Sequence, residues 1–264
     1  MTQRASLIGL SSRLAIRGAA LAALLAALPL DSSPAYLPEQ SDWEECTIAV
    51  ISGSATPDGR PIIWKNRDTG LVNNEVGYFA DGPYRHVTII NAGETTTAWL
   101  GVNDQGFAIL NALSYNLPDS LSIGITNGEL MKHALRHCAT VAEFEDYLEQ
   151  TNAIGRPNPS NFAVMDADGE AAIFEAGNYS FVRFDATDPV DAPRGFLTRI
   201  TYSLSADTAG MDTFRYHRSR RMIERALARR SLDVPYLLQK VARDLCSKEV
   251  DPYPLPYEGF PPGN

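Results

Sequence analysis

The sequence predicts a layered α+β domain, and three observations predict it. Short apolar runs bounded by turn residues come in two batches, one between Thr47 and Leu113, the other between Phe162 and Leu204. Stretches with helical spacing and capping residues follow each batch. Single strands do not alternate with single helices, as a doubly wound parallel sheet would require, and no internal repeat is visible. At 264 residues and 44% hydrophobic, the chain can bury one large core or two small ones.

The first 35 residues read as a signal peptide. Arg4, Arg13 and Arg17 form a basic leader, Gly18 to Leu30 is rich in alanine and leucine, and Ser33-Pro34-Ala35 offers a cleavage site. A membrane anchor is the alternative, but the apolar run is shorter than the ~20 residues a spanning helix needs. The expectation is export to a periplasm or the exterior, with no membrane span after cleavage. Tyr36 to Glu45 is then a short polar pro-segment, and 46–264 the functional domain. Three arginines and Asp31 leave with the leader, taking the net charge from −9 to −11. Such a surface repels nucleic acid and anionic lipid, which excludes both as partners.

Within the domain, Thr47 to Gly53 and Pro61 to Lys65 are expected strands, joined through the turn residues Pro57-Asp58-Gly59. His86 to Asn91 and Thr96 to Gly101 follow, and Asn103-Asp104-Gln105-Gly106 turns tightly into Phe107 to Leu113. Thr126 or Asn127 caps a helix over Glu129 to Cys138, and Thr140-Val141-Ala142-Glu143 is a capping box that opens a second helix to about Gln150. Phe162 to Met165 and Ala171 to Glu175 flank the hairpin connection Asp166-Ala167-Asp168-Gly169. Tyr179 to Phe184 and Phe196 to Leu204 are further strands, Thr213 to Arg230 and Pro235 to Ser247 the last helices. The Pro-rich tail from Asp251 to Asn264 reads as loop.

Chemistry points to one cysteine. Cys46, Cys138 and Cys246 make an odd count for an exported protein, which leaves at least one thiol unpaired. Cys138 and Cys246 sit in helical patterns and read as small buried fillers. Cys46 heads the first strand, and the hairpin delivers Lys65, Asn66, Arg67 and Asp68 beside it. A thiol needs a nearby base and a positive field, and an N-terminal cysteine carries its own base. Its freed α-amine, with a pKa near 8, can accept the thiol proton once the Glu45–Cys46 bond is cut. Side chains alternate along a strand, so Lys65 and Arg67 share one face while Asn66 and Asp68 share the other. A strand of surface ion pairs is the bland alternative.

Cys46-Thr47, Asp58-Gly59-Arg60-Pro61 and Trp64-Lys65-Asn66-Arg67-Asp68 together resemble the opening of the cysteine N-terminal nucleophile (Ntn) hydrolases. The group includes acyl-coenzyme A:6-aminopenicillanic acid acyltransferase, penicillin V acylase, bile salt hydrolase and acid ceramidase. The resemblance continues through Gly101 to Phe107, Ser160-Asn161-Phe162, Asp166 to Gly169, Gly195 to Arg199 and Arg215 to Arg218. It implies a four-layer αββα sandwich and the hydrolysis or transfer of an acyl group from a linear amide, without a cofactor. It implies Cys46 as nucleophile, Asp68 as the acid on the freed amine, and Lys65 where relatives often carry arginine. Asn111 falls near the strand that helps form the oxyanion hole, and Arg215 on a late arginine that supports the nucleophile. The sequence departs from the group at Ile200 and Thr201, where relatives often supply an oxyanion asparagine. Relatives also continue into further strands, so the expectation is a sandwich lacking C-terminal strands, a C-terminally truncated form.

Weaker signals point elsewhere. His133 and His137 stand four apart, a zinc-like spacing without a third ligand, so no metal is expected. Asp166 to Gly169 lacks the later ligands of a calcium loop, and Asn178-Tyr179-Ser180 fits a glycosylation acceptor. Two other readings compete with the exported amidase. One is a papain-type thiol hydrolase with a Cys–His pair; the other is a non-catalytic secreted protein on the same fold. The small-molecule amide itself and the oligomeric state are left open.

Overall fold

The computed structural model describes residues 46–121, 123–211 and 213–244. The expected leader, pro-segment, Cys246 and Pro-rich tail lie outside them. The described residues form two antiparallel sheets. The smaller has the order β10-β1-β2, from β1 (Thr47–Ile51), β2 (Ile62–Asn66) and β10 (Phe196–Arg199). The larger takes seven strands in chain order: β3 (Asn74–Phe79), β4 (His86–Asn91), β5 (Leu100–Asn103), β6 (Ala108–Leu113), β7 (Ser160–Met165), β8 (Ala171–Ala176) and β9 (Phe181–Asp185).

Alternation along each strand sorts the side chains into three cores and so into four layers. Ile48 and Val50 of β1 meet Leu110, Ala163 and Ile173 between the sheets. Ala49 and Ile51 point the other way, to Ile223 and Ala226 of α3 (Phe214–Ala228). Leu237 and Val241 join that core from the π-wound turn Leu237–Val241, which continues α4 (Val234–Tyr236). On the far face of the large sheet, Ile109, Phe162, Val164 and Phe174 pack on α1 (Asn127–His137) and α2 (Val141–Ile154). The order is helix, sheet, sheet, helix: an α+β sandwich of the αββα kind.

Local chemistry sets the boundaries. The expected capping box of Thr140 with Glu143 forms, and of the two caps offered for the first helix it is Thr126 that takes the position, closing a second box with Glu129; each contributes about 1 kcal/mol. Gly106 takes a left-handed φ of 89° in the turn after β5. The Asn103 side chain accepts from the Gln105 and Phe107 amides and donates to the Leu135 and Cys138 carbonyls, pinning that turn to the end of α1.

Two expected strands are shorter than expected, and a third element was not expected. The strand placed at Thr96 to Gly101 starts only at Leu100, because the Glu94 carboxylate accepts from the Thr96 and Thr97 hydroxyls and holds that stretch as a loop. The strand expected from Phe196 to Leu204 ends at Arg199. Beyond it the Asn161 amide captures the Ile200 and Tyr202 carbonyls, and the Glu175 carboxylate takes the Leu204 and Ser205 amides. The third is β3, an edge strand that the sequence reading missed. Asn74, Glu75 and Gly77 give it poor strand propensity, and pairing with β4 along its whole length overrides that.

Candidate active site

Cys46 immediately precedes β1, and alternation turns its side chain inward with Ile48 and Val50. It is wholly buried in the core between the sheets. Its Sγ lies 3.8 Å from the backbone carbonyl of Asp68, where the chain leaves β2. The contact is made by the main chain. The Asp68 side chain itself is exposed, because β2 ends at Asn66 and the chain is already turning outward.

Lys65 lies opposite Ile48 on β2, on the same inward face as Cys46. Its ammonium donates to Asn111 Oδ1 at 2.9 Å and to the Trp99 carbonyl at 3.4 Å. Arg67, two residues on, donates to Asn74 and to Asn91 Oδ1 at 2.8 Å, and its guanidinium lies 5.1 Å from the Trp99 ring centre. Asn66 turns the other way and donates to the Ala242 carbonyl in the helical layer. The split of this segment between two faces follows the pleat expected from its sequence.

Asn111 is fully buried, but the pleat puts it in one row with Phe162 and Phe174, on the helix side of the large sheet. Its neighbours Leu110 and Ala112 share the core of Cys46. Asn111 is thus tied to the Cys46 face through Lys65. An ammonium can only donate, so Asn111 must offer it the amide oxygen. The amide nitrogen is then left buried with no partner among the described residues.

Arg215 belongs to the helical layer. It sits in the first turn of α3, and α3 packs on the outer face of the small sheet, behind the strand whose inner face carries Cys46. Besides Arg67, the Cys46 face carries Arg199, opposite Ile48 on the other side from Lys65. Arg199 is buried and forms an ion pair with the equally buried Glu175 of β8, with its guanidinium 4.8 Å from the Phe184 ring centre. Sequence reasoning gave this pair no role. Its signal was a lone acid in the apolar run Ala171 to Ala176 and a lone arginine closing Phe196 to Arg199, since each buried charge requires a partner.

All four histidines lie on other faces. His86 stacks on Phe79 on the helix side of the large sheet, and His217 is on α3. His133 and His137 stack on each other on α1, with His133 also against Tyr147. A papain-type Cys–His pair therefore has no histidine beside Cys46. Among the described residues no three metal-binding side chains come together. Cys138 is buried under α1, and burial pushes its thiol up to about 12, so it stays protonated and inert. Thr201, where the sequence departs from the resembled group, lies in the segment after β10, and its carbonyl accepts from the Tyr115 amide.

No family model matches the chain, and no curated protein matches it. Solved structures similar to it include a mutant conjugated bile acid hydrolase from Clostridium perfringens, at 14% identity and TM-score 0.42 over 67% of this chain and 57% of that one. An ortholog of N-acylethanolamine-hydrolyzing acid amidase from Caenorhabditis elegans is similar at 14% identity and TM-score 0.47, over 74% and 84%. Penicillin V acylase from Agrobacterium tumefaciens follows at 18% identity and TM-score 0.34, over 70% and 52%. The chain spans little more than half the length of the first and the last of these.

Proposed function

We propose that this chain is an exported cysteine Ntn hydrolase that cuts its own Glu45–Cys46 bond and then hydrolyses, or transfers the acyl group of, a linear amide. One observation carries the reading: Cys46 stands at the head of β1, buried on the inter-sheet face, with the ammonium-bearing Lys65 on that same face. Once the bond before it is broken, the Cys46 amine takes the thiol proton. The sulfur attacks the amide carbonyl, and the amine returns that proton to the departing nitrogen. Water, activated by the same amine, then attacks the thioester and frees the acid. An acceptor amine in place of water gives transfer instead. Lys65 supplies positive charge towards the carbonyl oxygen as it becomes negative. Asp68, whose main chain already touches the sulfur, holds the new ammonium.

The mass and N-terminal sequence of the purified protein test this. Wild type should begin at Cys46, Cys46→Ala should stay longer and uncut, and iodoacetamide should label Cys46 but leave Cys138 intact. Asp68→Asn should lower amide turnover by at least tenfold with little change in melting temperature. A wild-type protein that is active while keeping residues 36–45 would remove the α-amine mechanism. An uncut, inactive wild type would favour the non-catalytic reading.

A further inference from the structure

Six buried side-chain polar atoms have no hydrogen-bond partner among the described residues, and three of them belong to one cluster: His86 Nε2, Lys132 Nζ and Arg136 Nε. The cluster lies where the loop between β3 and β4 folds over α1. Phe79, the last residue of β3, stacks on the His86 ring with centres 5.4 Å apart, and its own ring centre lies 2.8 Å from the Lys132 ammonium. Lys132 and Arg136 stand one helical turn apart and face a single carboxylate, Asp81 of the loop, at 3.9 Å and 3.7 Å. The Arg136 guanidinium also donates to the Asp81 carbonyl, and the Arg136 carbonyl accepts from the Tyr84 amide. Together these contacts hold the loop, residues 80–85, against the helix.

His86 is 2% exposed, and its Nδ1 lies 3.4 Å from the Tyr84 carbonyl, which can only accept. Nδ1 therefore carries the proton of the neutral ring, and Nε2 is a bare lone pair. A second proton has no acceptor waiting, and it adds a third cation to two that already share one anion. The groups around the ring are Phe79, Asp81 and Tyr84 from β3 and its loop, and Lys132 and Arg136 from α1; β5 adds the neutral Asn103, opposite His86. Arg85 and Asp104 pair with each other instead. Burial, then the Lys132 and Arg136 charges, lower the histidine's pKa from 6.5, against the pull of the Tyr84 carbonyl and Asp81. We propose that this cluster is an acid-released latch: protonation of His86 drives the 80–85 loop off α1 and frays the end of β3. The charged ring reaches water only by leaving Phe79, its partner at the end of the β3–β4 register, and Phe79 then leaves Lys132. The folded chain resists a proton that the unfolded chain accepts, so folded-state stability is lost as pH falls below 6.5.

Amide hydrogen exchange of the full-length protein from about pH 7.5 to pH 5, corrected for intrinsic rates, tests the latch. Protection of residues 77–85 should fall about tenfold over that range while α2 holds. His86→Phe keeps a ring on Phe79 and removes the titration, so its protection should stay within about twofold. Asp81→Asn removes the shared anion and should give the open loop already at the neutral end of the range. His133 is a second, half-buried histidine of α1, next to Lys132, but it stacks on His137 and on Tyr147 of α2. His133→Gln should therefore leave the drop unchanged. Wild-type protection that does not change, or a fall spread evenly over every element, overturns the proposal. So does a drop that survives His86→Phe or vanishes in His133→Gln. Should His86→Phe fail to fold, Lys132→Met decides: with one cation fewer the drop should shrink to about threefold, and an undiminished drop overturns the latch.

Discussion

The two halves of the large sheet carry similar side chains on the same face and differ in what lies over them. In β6 to β8, Leu110, Ala163 and Ile173 are sealed by the small sheet. In β3 to β5, Val87 and Val102 meet water. Strand by strand the two sets share an apolar inward pattern, so residue type does not decide which half is core. Cover does, and cover comes from a partner that pairs across the whole chain. The lesson concerns energetics: the same valine-sized truncation should be severe in one half and nearly silent in the other.

The largest effect belongs to the charge pair inside the covered half. Glu175→Leu leaves Arg199 buried without its carboxylate and frees the Leu204 and Ser205 amides, so chemical denaturation should show a loss of about 3–5 kcal/mol. Next comes a matched pair of truncations. Leu110→Ala should cost about 2–4 kcal/mol by denaturant titration, whereas Val87→Ala stays within about 0.5 kcal/mol. Equal losses at both sites would mean that β3 to β5 are covered in solution.

A smaller and pH-dependent effect lies on the opposite face. Lys132 is buried with its ammonium against the Phe79 ring, and burial lowers its pKa to about 8. In the unfolded chain the same amine titrates near 10.5. The folded state therefore binds fewer protons between these values, and wild-type stability rises as pH climbs from 8 towards 10.5. Lys132→Met should raise the melting temperature by a few degrees at pH 6 to 7, and that gain should shrink above pH 8. The smallest effect is Val102→Thr on the open half, expected within about 0.5 kcal/mol by the same titration.

Much of this arrangement was legible in the sequence. The capping box at Thr140, a cap at Thr126 or Asn127, the hairpin at Asp166 to Gly169 and the pleat that divides Lys65 from Asn66 are local, and local chemistry reveals them. The early end of β10 was not legible, because Asn161 and Glu175 capture the following backbone from distant strands. Nor was the side of the sheet to which Asn111 turns, since that depends on the register of β6 against β7. Arg215 was assigned by resemblance, and Arg199, two residues from the core-facing Leu197, was passed over because its partner Glu175 is far away in sequence. The one edge strand missed, β3, owes its form to β4 rather than to its own residues.

The order of strands also sets a clock. β3 to β9 form a meander in which each strand pairs with the next, so the large sheet can assemble from the ribosome outward as it is made. The small sheet joins the first described strand to the last, with Ile48 facing Arg199. The strand that begins just after Cys46 therefore gains its second neighbour only when β10 has been synthesised and docked. A newborn chain carries an unassembled thiol until the whole large sheet has been made, and any cut before Cys46 that needs both neighbours of β1 falls due only after β10 is in place.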